Sequence, residues 1–390
     1  MPDQPFDYFR LDDRLTAGQR DLRLQVRHFV ETRVRPEINP FWERAEFPRD
    51  LALGLRTLPI LGTMLQGHGC AGLDALSAGL VRYELGRGDG SIGTFYGVHS
   101  GLAMGSIGML GSKEQQARWL PAMARLEKIG AFGLTEPERG SDAAHLLTRA
   151  RRDGDAYVLD GHKRWIGNAA IADLLIIWAQ EDTGGLGGFV IENPGATPGV
   201  TMRNMGGKIS KRAVLNADIT LEAVRVPAGN RLAKAHSFRD LSRVLFYTRY
   251  AICWEAAGIG AACLELALRY AGRREQFGRP IAGFQLVQQK LVEMAAAVVE
   301  MQLTCFRLAE LVDQDQATGP MISLAKYATC KKARDVARLA REVLGGNGIL
   351  IENHVARLLL DAEAIFTYEG TNEINLLIVG RDLTGVGAFT

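Results

Sequence analysis

Residues 285–312 constrain the fold most. Leu291, Met294, Val298, Met301, Cys305, Leu308 and Val312 follow one another at alternating steps of three and four. That spacing lays one apolar stripe along an α-helix, and the stripe is satisfied only against other helices. The C-terminal part therefore reads as a helical bundle. A further helix is expected from about Met321 to Leu344, stopped by Gly345 as a C-cap.

Helical text also opens the chain. Leu22, Val26, Val30 and Val34 recur at steps of four, with Phe29 on the same face. "GSKEQQARWLPAMARLEK" reads as a short helix pair broken at Pro121. The glycine-rich "GRGDGSIGTFYG" (86–97) reads as a loop or a loosely packed helix start.

The text changes near residue 130. "AYVLDGHKRWIGN" holds an Asp160–Gly161 hairpin signal, and "ADLLIIWAQ", "GGFVIE", "GVTMRNM" and "ADITLEAVRVP" follow as short strands. Several such strands imply a small sandwich or barrel. The chain is thus mostly α with a central β domain, divided at 1–128, 129–238 and 239–390.

Composition excludes several classes. The 390 residues carry a formal net charge of +2, so there is no field for a general polyanion, and nothing resembles a nucleic-acid module. The seven histidines lack ligand spacing, so no metal set is expected. The polar N-terminus is no signal peptide, and no apolar run reaches the ~20 residues of a membrane span. The closing "GAFT" carries no targeting tripeptide. Four of the five cysteines sit in apolar helical text, which suits reduced, buried thiols and a cytoplasmic protein without a membrane partner.

Two glycine motifs read as packing. "GIGAAC" (258–263) lies in helical text with no strand before it, where the dinucleotide fingerprint needs a strand-to-helix turn. "LGGNGI" reads as a helix stop. "FGLTEPERGSD" (132–142) falls where helix text gives way to strand text and offers Thr135 and Ser141 to a polar ligand edge. "RREQFGRPIAGFQLVQQKL" sets two arginines, a residue suited to phosphate, before a helix. In "AEAIFTYEGTNEINLLIVG" (362–380), Glu369 stands in largely apolar text beside Gly370. A carboxylate there is disfavoured as a charge, and the same desolvation suits it to accept a proton.

Together "GLTEPERGSD", "KRWIGN", "REQFG", "FQLVQQKL", "LGGNGI" and "YEGTNEI" resemble the acyl-CoA dehydrogenases over nearly the whole chain. The likeness runs to the glutaryl-CoA dehydrogenase and short-chain acyl-CoA oxidase branch. It implies a helical N-terminal domain, a middle β-barrel, a C-terminal four-helix bundle, bound FAD and a homotetramer. It implies Glu369 as the base that removes the acyl α-proton while the β-hydrogen leaves as hydride. By the same likeness Phe132, Leu134, Thr135, Gly140, Ser141, Trp165 and Ile166 line the flavin. Arg274 and Phe277 meet the FAD of a neighbouring subunit, and Gln285, Gly345, Gly346, Thr371 and Glu373 complete the cofactor contacts. Ser141, Arg249, Tyr368, Gly370 and Gly93 are expected on the acyl-CoA side.

Three departures from the family pattern matter. Gly167 replaces a threonine beside flavin N5, which leaves the acceptor open between an electron-transfer flavoprotein and molecular oxygen. Gly86 and Gly93 replace a glutamate and an arginine of the glutaryl-CoA dehydrogenases. A neutral pocket floor, and a substrate other than glutaryl-CoA, are the expectation. Arg273 and Glu342 also depart, with no functional account. The implied activity is α,β-dehydrogenation of a short, branched or ring-bearing acyl-CoA. The alternatives are an oxygen-using oxidase or monooxygenase and a non-catalytic acyl-CoA or flavin-binding relative.

Overall fold

The computed structural model describes residues 7–387, so the final residues of "GAFT" and the first six residues lie outside the described part. Helix α1 (Ala17–Phe29) starts at a capping box in which Thr16 and Gln19 satisfy each other's backbone N–H groups. It runs through a π-turn at Val30–Val34 into α2 (Arg35–Arg44), and the four-step residues from Leu22 to Val34 are all buried. After α3 (Arg49–Gly54), α4 (Ala75–Gly88) and α5 (Gly90–Tyr96) abut at Asp89, whose carboxylate caps Ile92 N–H at 2.9 Å. The glycine-rich stretch is therefore two buried helices, not a loop. A Cβ at Gly86 would stand 2.7 Å from the Glu255 carbonyl oxygen, so glycine permits close helix contact.

Helices α6 (Met104–Leu110) and α7 (Lys113–Ala124) complete this part. Pro121 does not break α7. Trp119, Leu120 and Met123 are buried on the same helix, and that packing outweighs the lost backbone hydrogen bond.

The middle part is one curled sheet of β1 (Gly130–Gly133), β2 (Arg149–Asp153), β3 (Ala156–Gly167), β4 (Leu174–Glu181), β5 (Leu186–Glu192), β6 (Val200–Asn204) and β7 (Asn216–Pro227). The order is β1-β4-β2-β3-β7-β6, with β5 also paired to β4. The hairpin turn is the two residues Gly154 and Asp155, between the paired Asp153 and Ala156, not Asp160–Gly161. Gly161 sits inside β3 at a register shift against β7, where a Cβ would come 2.5 Å from Thr148 Oγ1.

Helix α8 (Phe238–Arg273) follows, then a short ribbon of β8 (Glu275–Gln276) and β9 (Arg279–Pro280), and helices α9 (Gln285–Asp313), α10 (Gly319–Val343), α11 (Val355–Thr367) and α12 (Asn372–Thr384). All seven seam residues of α9 are buried in the bundle core. Helix α8 is apolar and long enough for a membrane, but its most apolar window is 78% buried by protein, as a core helix should be. Gly258 and Gly260 of "GIGAAC" pack against Tyr83 and Met301. The cysteines are all free, and all but Cys70 are fully buried.

His99 ties the helical part to the sheet. Its Nδ1 accepts Gly130 N–H at 3.0 Å and its Nε2–H donates to the Met123 carbonyl at 3.0 Å. Burial pushes its pKa down to about 4. An unfolded histidine near 6.5 binds protons more readily, so His99 contributes stability above pH 6.5 and loses it as pH falls toward 4. His99→Gln should flatten the fall in thermal unfolding midpoint between those pH values, measured against wild type by calorimetry. An unchanged slope would refute the assignment.

Candidate active site

A cavity of about 1260 Å³ opens between α4–α5, the sheet, α8 and the α11–α12 turn. One end is an aromatic shelf. Strand β3 shifts register against β7 between Lys163 and Ile166, and Trp165 takes φ 66° in that bulge. The bulge turns the indole outward, 54% exposed, while Ile166 stays buried. Asn216 Nδ2 fixes the Trp165 carbonyl at 3.0 Å. Phe132, Leu134, Thr135, Gly140 and Ser141 line the same end. A buried pair anchors this loop: Lys163 Nζ donates to Glu136 Oε1 at 2.8 Å and to the Leu134 carbonyl at 3.0 Å. Glu136 in turn accepts the N–H groups of Leu147 and Thr148.

The other end is the turn joining α11 to α12. Glu369 and Gly370 take φ 57° and 81°, two left-handed residues in succession. A non-glycine residue held there costs about 1–3 kcal/mol and needs surrounding contacts to persist. A Cβ on Gly370 would meet Arg249 Nη2 at 3.2 Å and Asn375 Nδ2 at 3.3 Å. Both the positive φ and the close approach require glycine. Three side chains clamp the turn. Arg249 Nε donates to the Glu369 carbonyl at 3.1 Å, and Lys326 Nζ and Asn375 Nδ2 each donate to the Gly370 carbonyl at 2.8 Å. Thr371 then caps α12 through Ile374 N–H.

Glu369 Oε2 accepts from Thr248 Oγ1 at 2.8 Å. Burial raises its pKa above the usual carboxylate value, against Thr248, Arg249, Lys326 and Arg82, which lower it. Its backbone N–H finds no acceptor among the described residues. The turn thus presents an acceptor for a proton and a donor for an oxygen side by side.

Tyr368, Glu369, Gly370, Thr371 and Arg249 all line the cavity with the flavin-side residues. Gly93 does not. Its carbonyl accepts from Arg82, and a side chain there would point at Glu255, 3.7 Å away. Arg274, Phe277, Gln285, Gly345, Gly346 and Glu373 are exposed and lie away from this cavity. The neutral floor is also corrected. Glu255 fills the space beside Gly86 and Gly93 from α8, and it pairs with Arg82 and Lys211. The charge has moved to other backbone positions, which motif matching does not see. Thr248, Lys326, Lys211, Arg82 and Glu255 were all missed in the sequence, because each is a polar residue in helical or loop text without a motif.

Family models for the acyl-CoA dehydrogenase N-terminal, middle and C-terminal domains match residues 16–127, 131–224 and 238–384. This chain belongs to the acyl-CoA dehydrogenase family. It is 33% identical over 374 residues to the probable acyl-CoA dehydrogenase YngJ of Bacillus subtilis (strain 168), covering 95% of this chain and 98% of that one. A crystal structure of glutaryl-CoA dehydrogenase from Mycobacterium smegmatis is 42% identical with a TM-score of 0.94, covering 97% and 98% of the two chains. A glutaryl-CoA dehydrogenase from the same organism, in complex with FADH2, is 39% identical with a TM-score of 0.96, covering 99% of each chain. The protein is an FAD-dependent oxidoreductase acting on acyl-CoA thioesters. The bare Trp165 face beside Phe132, with the Thr135 and Ser141 hydroxyls, fits a flat ring with a polar edge.

Lys326 is a positioning residue: it is fully buried and faces the turn, not the reactants. Lys326→Met keeps similar volume, and Asn375 still satisfies the Gly370 carbonyl. Removing the cation should raise the Glu369 pKa, so the acid limb of the pH profile for flavin reduction should move to higher pH. A limb that stays in place while the rate falls would leave Lys326 a purely structural role.

Proposed function

We propose that this enzyme desaturates the α,β bond of a short, branched or ring-bearing acyl-CoA other than glutaryl-CoA, with Glu369 as base. The observation that carries the reading is the Glu369 turn: a desolvated carboxylate, oriented by Thr248, next to a backbone N–H with no acceptor among the described residues. Glu369 takes the α-proton on a carboxylate oxygen. Its own N–H meets the thioester carbonyl and stabilises the charge that develops there. The raised pKa brings base and carbon acid closer in strength. Acceptance of the β-hydrogen as hydride at N5 is the chemistry FAD supplies when bound. Trp165, Ile166 and Phe132 would hold the ring, with Leu134, Thr135, Gly140, Ser141 and Thr371 about it. Arg249 holds the turn, and Tyr368 and Gly370 shape the acyl side.

In this reading Arg274 and Phe277 serve the FAD of a neighbouring copy in a homotetramer, and Gln285, Gly345, Gly346 and Glu373 complete the cofactor contacts. Phe277 is 94% exposed at φ 53°, an arrangement that favours a partner surface. The three-part division at 1–128, 129–238 and 239–390 belongs to the same reading. Five free thiols support the cytoplasm as its compartment.

An electron-transfer flavoprotein is the acceptor in this reading. A Cβ on Gly167 would come within 3.2 Å of Val98 Cγ2, so Val98 already occupies much of the room that the missing threonine leaves. The missing hydroxyl itself favours a second reading, an oxidase or monooxygenase. Val98→Ala should speed air reoxidation of the reduced enzyme–product complex from a slow wild-type rate. Fast wild-type reoxidation with peroxide would establish the oxidase instead.

Glu369→Gln should keep FAD and the fold, and slow anaerobic flavin reduction by at least ~10²-fold. Normal bleaching by this variant would end the assignment of the base.

A further inference from the structure

We infer that the cavity wall formed by Arg82, Lys211 and Tyr368 recognises an uncharged oxygen acceptor on the acyl tail: a hydroxyl, ether or carbonyl beyond the reacting carbons. This inference rests on the dehydrogenation reading and names its substrate class.

The wall is built from distant parts of the chain. Arg82 comes from α4, Lys211 from the segment before β7, and Tyr368 from the catalytic turn; all three line the cavity. Glu255 of α8, which pairs with Arg82 and Lys211, is not among the lining residues. The carboxylate thus stands behind and the donors stand in front. Besides Glu255, Lys211 Nζ lies 2.6 Å from Tyr368 Oη, 3.0 Å from Thr94 Oγ1 and 3.2 Å from the Gly90 carbonyl, four acceptors for its three protons. Tyr368 is an acceptor toward Lys211, so its own O–H proton remains, and no acceptor takes it among the described residues. Arg82 gives one amino group to the Gly93 carbonyl and the other to Glu255, while its buried Nε–H has no partner among the described residues. Arg82 is 3% exposed. The Arg82 Nε–H is closed off from the cavity, so the unused Tyr368 O–H is the donor that a ligand oxygen would satisfy.

Charge decides between a neutral and an anionic oxygen. Arg82 and Lys211 already share Glu255, Lys211 N–H donates to Asp361 at 2.6 Å, and Arg357 pairs with Asp89. Lys208 directs its ammonium to the Lys211 and Val214 carbonyls and Asn216 Oδ1. A carboxylate tail would have to compete with Glu255 for the same Arg82 and Lys211 at close range, and the three Lys208 protons are already spent on protein oxygens. A neutral oxygen needs only the hydrogen bonds on offer. Sites built to hydrogen-bond a substrate group discriminate strongly against analogues that lack it.

The test compares acyl-CoA thioesters of matched length, from four to six carbons, with a methyl, a hydroxyl or a carboxylate at the far end. At one length or more the hydroxylated thioester should exceed its methyl analogue in kcat/KM for flavin reduction by roughly tenfold or more. It should exceed the carboxylate too. Tyr368→Phe should cut the hydroxyl-to-methyl ratio several-fold, and Arg82→Met should do the same. If Arg82→Met does not fold, Tyr368→Phe decides alone, since Lys211 keeps Glu255, Thr94 and Gly90. A hydroxyl-to-methyl ratio near one at every length, or a preference for the carboxylate, overturns the inference. If no thioester reduces the flavin, the dehydrogenation reading fails by itself. Calorimetric binding of the same series to the purified holoenzyme then ranks the tails and decides the inference.

Discussion

The α11–α12 turn is the constraint on which the rest of the site depends. Two successive left-handed residues there set the Glu369 carboxylate and its N–H toward the cavity. Such a backbone is unfavourable by itself and must be overdetermined by its surroundings. Arg249 from α8, Lys326 from α10 and Asn375 from α12 do so through the Glu369 and Gly370 carbonyls. The long bundle helices therefore do more than make a core. They bring donors from three chain segments to one four-residue turn.

The same cations temper the base. Burial raises the Glu369 pKa, and Arg249 and Lys326 oppose that rise. Lys326 is itself pushed below its ordinary value by burial. The balance leaves Glu369 more basic than an exposed carboxylate. At the other end, a β-bulge performs the matching task for Trp165, turning a large apolar side chain out of the sheet. Helix caps and a bulge thus face each other across one cavity.

Much of this was legible in the sequence, for reasons that differ by element. The α9 seam was readable because helix packing repeats every three to four residues. Glu369 stood out as a carboxylate beside glycine in apolar text, and the family resemblance supplied its role as base. The Asp160–Gly161 hairpin was misplaced because two Asp–Gly pairs occur within nine residues, and only sheet register puts the turn at Gly154–Asp155. Pro121 was misread because local propensity yields to the burial of Trp119 and Met123. The Arg82–Glu255–Lys211 cluster was invisible: its members lie 44 to 173 positions apart, and none belongs to a motif. Gly86 and Gly93 pointed to a neutral floor because a sequence shows what a position lacks, not what fills its space.

The central claim is that Glu369 removes a proton from the carbon next to the thioester. Exchange of that proton can be followed without net oxidation, using a thioester whose β-carbon is replaced by sulfur. The measurement is loss of the α-proton NMR signal in heavy water, with wild type and Glu369→Gln at equal flavin content. The account predicts steady exchange by the wild type and none above background in the variant. Exchange at the wild-type rate in Glu369→Gln would place the base elsewhere.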